Sequence, residues 1–373
     1  LLEPTHRISN PAASTPITDG SRVFSYFGSY GLLCHYIQGK QIWAHPLAVP
    51  MTEFGSGTSP VLAEGLLIVN RDGDIHSSLL AVDKLTGKTV LETARPEFRR
   101  GFATPFIWRS GNRIEVIVPG SLWLKSYDFK TGNELWMAHG FARVANASPT
   151  SGEGLLFLSS WNVGGDLDDR VSMEPWEDFA GKQDTNKDGI LSREEFPPGV
   201  ISDRFTQIDL NKDNQVTREE YENMRMMFTK AENALVAIRP GGHGDITSSH
   251  VVWKQQRALP YVSSPLWYDG RVYTVKSGGL VSCYDAKTGK IHYQAERLSA
   301  PGDYYASAIG AGGAVYFISQ NGVVTVIAAG DELKILGQAL LNEQVFASPA
   351  VIEDMLYIRT AGRLYAFRET FGR

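Results

Sequence analysis

Cysteine is nearly absent: the 373 residues hold two, Cys34 and Cys283. Thiols this far apart in sequence make neither a four-thiolate metal site nor a C-x-x-C redox pair. Both are expected to be inert strand residues without a disulfide, a cysteine usage that fits either redox compartment. No apolar run approaches the roughly 20 residues a helix needs to cross a bilayer. There is no strong charge of one sign either, since 36 Lys and Arg against 41 Asp and Glu leave a net −5. That balance excludes the basic footprint of a nucleic-acid binder. The eight histidines fall in no H-E-x-x-H spacing and no nucleophile elbow occurs, so no catalytic residue is assigned. An initiator Met and a charged-then-apolar leader are also missing. Leu1 is therefore expected to follow a processed or truncated segment, with any export signal upstream. What is present is core-forming material, 43% hydrophobic with 11% aromatic, which excludes wholesale disorder.

The charge is unevenly spread. Residues 162–233 carry 17 Asp and Glu against 9 Lys and Arg, a net −8, so the remainder is +3. An acidic segment inside a mildly basic frame marks a module boundary.

Outside that segment the chain repeats. A small residue followed by Pro recurs at Thr15-Pro16, Ser59-Pro60, Thr104-Pro105, Ser148-Pro149, Ser264-Pro265 and Ser348-Pro349, with Ser307-Ala308 as a version lacking Pro. Successive spacings are 44, 45, 44, 116, 43 and 41, and the outlier exceeds the usual 44 by 72, the length of the acidic segment. Each repeat holds β-branched and aromatic runs such as GLLIV, RIEVIV and AVYFI between glycine-rich breaks. Each also favours a turn, AVDKLTGK (81–88), SYDFKTGN (126–133) or CYDAKTGK (283–290), in which Asp can bind the turn backbone and Gly supplies positive φ. A large residue follows four positions after that Gly, as at Trp43, Leu91, Trp136 and Tyr293. A period of 40–45 residues with four short strands is that of a β-propeller blade. The expected fold is therefore all-β: a propeller of four-stranded antiparallel blades over 1–161 and 234–373, with 162–233 inserted between the second and third strands of the fourth blade. The aromatics are expected to pack blade on blade.

Asp-x-x-Thr-Gly-Lys followed by Trp, with Ser-Pro opening the next blade, resembles the PQQ-repeat propellers, the superfamily of the quinoprotein alcohol dehydrogenases. FGSYGLLCHY (27–36), EFGSGTSPVL (53–62) and RPEFRRGFATP (95–105) are similar to its non-enzymatic branch. Seven blades are visible, and family members often have eight, which would place a further blade upstream. Residues before Ser14 are expected to supply an outer strand that closes the ring with the C-terminus. The dehydrogenases use a vicinal disulfide, an Asp base and a calcium beneath PQQ. Cys34 and Cys283 are not adjacent and no matching metal set is found, so PQQ and its chemistry are not expected. The resemblance implies an exported protein, periplasmic or extracellular and of bacterial type.

The acidic segment carries its own chemistry. In DTNKDGILSREE, Asp184, Asn186, Asp188, Ser192 and Glu195 occupy positions 1, 3, 5, 9 and 12 of a loop, Gly189 stands at position 6, and Ile190 gives the position-7 carbonyl. Calcium takes six to eight oxygens, and this EF-hand spacing supplies them from alternate residues, with the last Glu closing the shell. A second loop 25 residues on, DLNKDNQVTREE, offers Asp209, Asn211, Asp213, the Gln215 carbonyl, Thr217 and Glu220, with Asn214 replacing the Gly. Asn tolerates the left-handed conformation next best. Leu191 is expected in a short β-contact between the loops, Phe205, Ile208, Val216 and Tyr221 in the flanking core, and Pro197-Pro198 to cut the first exiting helix short. Met224, Met226, Met227 and Phe228 offer either a sensor-like face or packing onto the propeller. The second is preferred because both ends of the insert are tied into one blade.

Second-to-third strand loops leave a blade on the same face as the links between blades, so the insert should overhang the mouth of the central channel. On that face Asn70, Arg71, Asp72, Arg99, Arg100, Lys276 and Arg359 are candidate contacts for a protein or peptide. The expected protein is a monomeric, non-enzymatic scaffold with two calcium sites, the alternatives being a quinone-dependent oxidoreductase and a calcium-switched binder.

Overall fold

The computed structural model describes residues 3–6, 9–52, 54–166 and 168–368. Seven antiparallel sheets succeed one another as the blades of a propeller. The second is representative: Val61–Ala63, Leu66–Asp72, Ser77–Asp83 and Thr89–Ala94 pair in sequence order, joined by tight turns. Its middle strands are buried on both faces, and the outermost alternates exposed and half-buried residues. Such strands read as unbroken β-branched runs because each blade is sandwiched between two others. The third sheet takes a fifth, parallel strand, Gly244–Asp245, from the fourth blade, and the seventh sheet has three strands among the described residues. No helix among the described residues is long and apolar enough to cross a membrane.

The Ser/Thr-Pro motif has a structural purpose. The backbone N–H of Thr15 donates to Ser59 Oγ at 2.9 Å, Ser59 to Thr104 Oγ1 at 3.1 Å, and Thr104 to Ser148 Oγ at 2.9 Å. Ser148 then donates to Ser264 Oγ at 3.0 Å, Ser264 to Ser307 Oγ at 2.9 Å, and Ser307 to Ser348 Oγ at 2.9 Å. A chain of hydroxyls thus joins all seven blades near their inner strands. Among the described residues no such bond joins Ser348 to Thr15. The face of the seventh sheet turned away from the sixth leaves Ile352 and Leu364 61% and 70% exposed. The described residues before Ser14 do not complete that sheet, contrary to expectation. Glu3 folds back instead onto the first two blades, its Oε2 accepting from Ser56 N–H and Oγ at 2.9 and 2.8 Å.

The Asp-x-x-Thr-Gly turns are built as the sequence implies. Asp83 Oδ1 accepts from the N–H groups of Leu85 and Thr86 and from Thr86 Oγ1, and Gly87 has φ +69°. The same turn also receives the preceding blade. Trp43 Nε1 donates to Lys84 O at 3.0 Å and Trp253 Nε1 to Ala286 O at 2.9 Å. A Cβ on Gly87 would stand 2.7 Å from the Trp43 ring, and one on Gly289 2.6 Å from Trp253. Gly87→Ala is therefore expected to cost about 1–3 kcal/mol in urea denaturation, from left-handed strain and the ring contact together. Gly111→Ala, with φ +56° but open space around it, should lose only the backbone part. Cys34 and Cys283 are buried, free thiols.

The fourth sheet runs Thr150–Gly152, Leu155–Ser160, Ala234–Ile238 and Val251–Gln255. Between its second and third strands lie helices α1 (Trp176–Gln183), α2 (Phe205–Ile208) and α3 (Arg218–Lys230). They enclose a separate core of Trp176, Phe179, Leu191, Phe196, Phe205, Ile208, Val216, Tyr221, Met224 and Phe228. The two stems of this excursion clasp each other: Asn162 N–H donates to Asn233 Oδ1 at 2.8 Å, and Asn233 Nδ2 returns a bond to Asn162 O at 2.9 Å.

Candidate functional site

The two acidic loops share one geometry. In the first, Gly189 N–H donates to Asp184 Oδ2 and Ile190 N–H to Asp188 Oδ1; in the second, Asn214 N–H donates to Asp209 Oδ2 and Gln215 N–H to Asp213 Oδ1. Gly189 and Asn214 have φ +81° and +62°, so Asn214 takes the left-handed conformation its position requires. Leu191–Ser192 pairs with Gln215–Val216, setting Leu191 opposite Val216. Ser192 with Glu195 and Thr217 with Glu220 form reciprocal capping boxes. The exit from the first loop is a three-residue 3-10 turn, Arg193–Glu195, ahead of Pro197. Backbone N–H groups of Ser192 and Thr185 lower the Glu195 carboxyl to about 2, keeping it ionised.

One oxygen in each loop has nothing to bind. Asp184 Oδ1 and Asp209 Oδ1, both at position 1, are buried without a hydrogen-bond partner. A buried carboxylate oxygen left alone is costly, and its recurrence at the same position of two loops fits a hard cation seated there. Among the described residues no three His, Cys, Asp or Glu side chains stand together as a ready metal cluster. The loops offer a mixed set instead, of carboxylate, carboxamide, hydroxyl and backbone carbonyl, which is the donor chemistry calcium takes.

The apolar side of the insert is already covered. Trp176 and Phe179 of α1 pack on Tyr221 of α3 with ring centroids 5.5 and 5.0 Å apart. Met224 and Phe228 point into that core and Met226 is exposed, so the methionines do not form one face against the propeller. Contact with the propeller comes through Glu232 N–H on Phe141 O at 3.0 Å and through Arg143, whose guanidinium lies 4.3 Å over the Phe228 ring. The insert therefore rests on the link between the third and fourth blades.

The candidates on this face divide by burial. Asn70 and Asp72 are buried, and Asp72 accepts both arms of Arg95, Nε to Oδ1 at 2.9 Å and Nη2 to Oδ2 at 3.0 Å. Arg95 also bonds the Tyr127 hydroxyl and lies 4.0 Å over Phe98. Burial draws its pKa down, but Asp72 and Tyr127 more than restore it. Arg100 is paired with Asp74, Nε to Oδ1 at 2.6 Å. Arg71 donates to Ala48 O at 2.7 Å, and Lys276 lies 5.5 Å over Trp161. Arg99 is held below its ordinary pKa by burial and feels Asp74 and, from the second loop, Glu219 and Glu220. Arg359 is exposed on the seventh sheet. Motif reading singled out none of Arg95, Arg143 and Arg204: Arg95 and Arg143 stand in links between blades, and Arg204 in a helical turn of the insert.

Comparison with known proteins follows the same division. Residues 6–160 match the family model described as outer membrane protein assembly factor BamB, and residues 201–226 match that of the EF hand. A comparison with curated protein sequences found no match. Among solved structures, BamB from Moraxella catarrhalis superposes with a TM-score of 0.61 at 15% identity, over 97% of this chain and 84% of that one. The computationally designed Ika8 protein superposes with a TM-score of 0.59 at 10% identity, over 95% and 83%. At such identities these likenesses establish the fold, a seven-bladed propeller.

Proposed function

From a PQQ-like β-propeller that carries an EF-hand, we propose a non-enzymatic scaffold of the cell envelope whose inserted EF-hand pair, residues 162–233, is braced by calcium and whose channel face takes a protein partner. The observation that carries the calcium reading is the pair of orphaned buried oxygens, Asp184 Oδ1 and Asp209 Oδ1. Asp184, Asn186, Asp188, Ser192, Glu195 and the Ile190 carbonyl would hold one ion. Asp209, Asn211, Asp213, Thr217, Glu220 and the Gln215 carbonyl would hold the other. The likeness to an assembly factor supports a role in holding other proteins and a place in the envelope. Bracing is favoured over switching because α1 already covers the apolar side a sensor would expose.

Hydrogen exchange across residues 176–230, compared in calcium and in chelator, tests this. Calcium should slow exchange there strongly while the hydrodynamic radius stays nearly constant. A large change in radius would favour the switch, and exchange indifferent to calcium would sink both.

A further inference from the structure

We propose that the surface where the insert meets the link from the third to the fourth blade binds a carboxylate presented by an acidic peptide, with Arg143 at its centre; the proposal rests on the channel face being a protein-binding surface. Backbone pairing brings the basic residues together. Gly101 bridges Asp72 on one side and Ala145 on the other, and the N–H groups of Phe102 and Ala103 both donate to Ala145 O. This stitching sets the link carrying Arg100 beside the link carrying Arg143. Arg100 itself takes a left-handed φ of +53°, a conformation side chains adopt mainly where the surroundings enforce it. From the insert, the Arg204 guanidinium lies 5.6 Å from the same Phe228 ring that Arg143 covers at 4.3 Å.

These arginines are not equally satisfied. Arg100 has Asp74, and Arg204 donates to Val200 O at 2.6 Å. Arg143 is only 9% exposed, none of its nitrogens is sealed from solvent without a partner, and no carboxylate is paired with it among the described residues. Burial, then the charges of Arg204 and Arg100, bring its pKa down to about 10, so it remains a cation at neutral pH. Buried cations are ordinarily paired, because the desolvation they suffer is otherwise uncompensated. The Phe228 face compensates in part. A cation left without an anion, beside two more cations, is poor design for stability and good design for receiving one. The planar guanidinium fork matches a carboxylate with two parallel bonds. Around it Tyr261 packs on Trp161 at 5.6 Å, and Lys276 lies over the Trp161 ring, so the neighbouring surface is aromatic and basic, suited to an extended acidic segment.

The test uses the full chain at fixed calcium and low ionic strength, with a fluorescein-labelled hexaglutamate peptide followed by fluorescence anisotropy. Wild type should bind saturably, Arg143→Gln at least tenfold more weakly, and Arg204→Gln severalfold more weakly. Arg109→Gln, an exposed arginine paired with Glu64, should bind as wild type does. Arg143→Gln should lower the melting temperature only slightly without peptide, through loss of its contact with the Phe228 ring, and peptide should raise the melting temperature of wild type alone. Saturable binding that ignores Arg143→Gln overturns the site and leaves the scaffold reading standing. No saturable binding by wild type removes the acidic-peptide assignment altogether. Displacement by inorganic phosphate at the peptide's own concentration would make this a free-anion site and overturn the peptide. Calcium-indifferent exchange in the insert would sink the bracing reading without touching this one.

Discussion

Arg95→Ala is expected to cost about 3–5 kcal/mol of unfolding free energy, among the largest effects available to a single polar substitution here. Arg95 and Asp72 are both 0% exposed at their side chains. Removing the guanidinium leaves the Asp72 carboxylate with Asn70 Nδ2 at 3.2 Å as its one side-chain donor among the described residues. The Tyr127 hydroxyl, whose pKa burial raises well above its ordinary value, loses its partner as well. The measurement is a urea midpoint at constant m-value, so that the change reports stability and not a different unfolded state. The double variant Asp72→Asn with Arg95→Met should recover much of the loss, because removing both charges of a buried pair is far milder than leaving one of them alone. A loss under about 1 kcal/mol for Arg95→Ala would place the pair among surface bridges, which contribute that little, and would refute its role as the staple of the link that carries Arg99 and Arg100.

That staple marks where reading the sequence stops. Turns and repeats were legible because their chemistry is local: Asp83 binds N–H groups two and three residues on, and Gly87 needs its positive φ whatever surrounds it. The conformation of the two loops was legible for the same reason, since Gly189 and Asn214 take the positive φ that their places in the twelve-residue pattern ask for. Blade count followed from spacing alone. What stayed hidden is long-range pairing of common residue types. Ser59 and Thr104 were legible as blade openers, and that they bond each other across 45 residues depends on blade geometry. In RPEFRRGF the exposed-looking Arg99 and Arg100 drew notice, while Arg95, the one sealed in the core, carries no local sign of Asp72 lying 23 residues earlier. Arg143 is the same case in reverse, since nothing nearby in sequence says that its counter-charge is missing.

Glu220→Gln is expected to remove most of the calcium-dependent stability of the insert. The substitution keeps the shape and one of the two acceptors, since Oε1 of Glu220 accepts from Leu210 N–H and Oε2 from Thr217 N–H at 2.9 Å each, but it deletes the charge and one of two oxygens offered to the ion. Because the insert encloses its own core, its unfolding can separate from that of the propeller, and calorimetry should resolve two transitions. Only the lower should move with calcium, by about 2.7 kcal/mol at a hundredfold excess over Kd and about 4.1 at a thousandfold. Glu195→Gln should act in the same direction on the first loop. The two losses should not add, since Leu191 and Val216 join the loops and collapse of one withdraws the strand that orders the other. Wild type whose two transitions both ignore calcium would contradict bracing. A propeller transition that moves while the insert's stays fixed would relocate the ion to the blades.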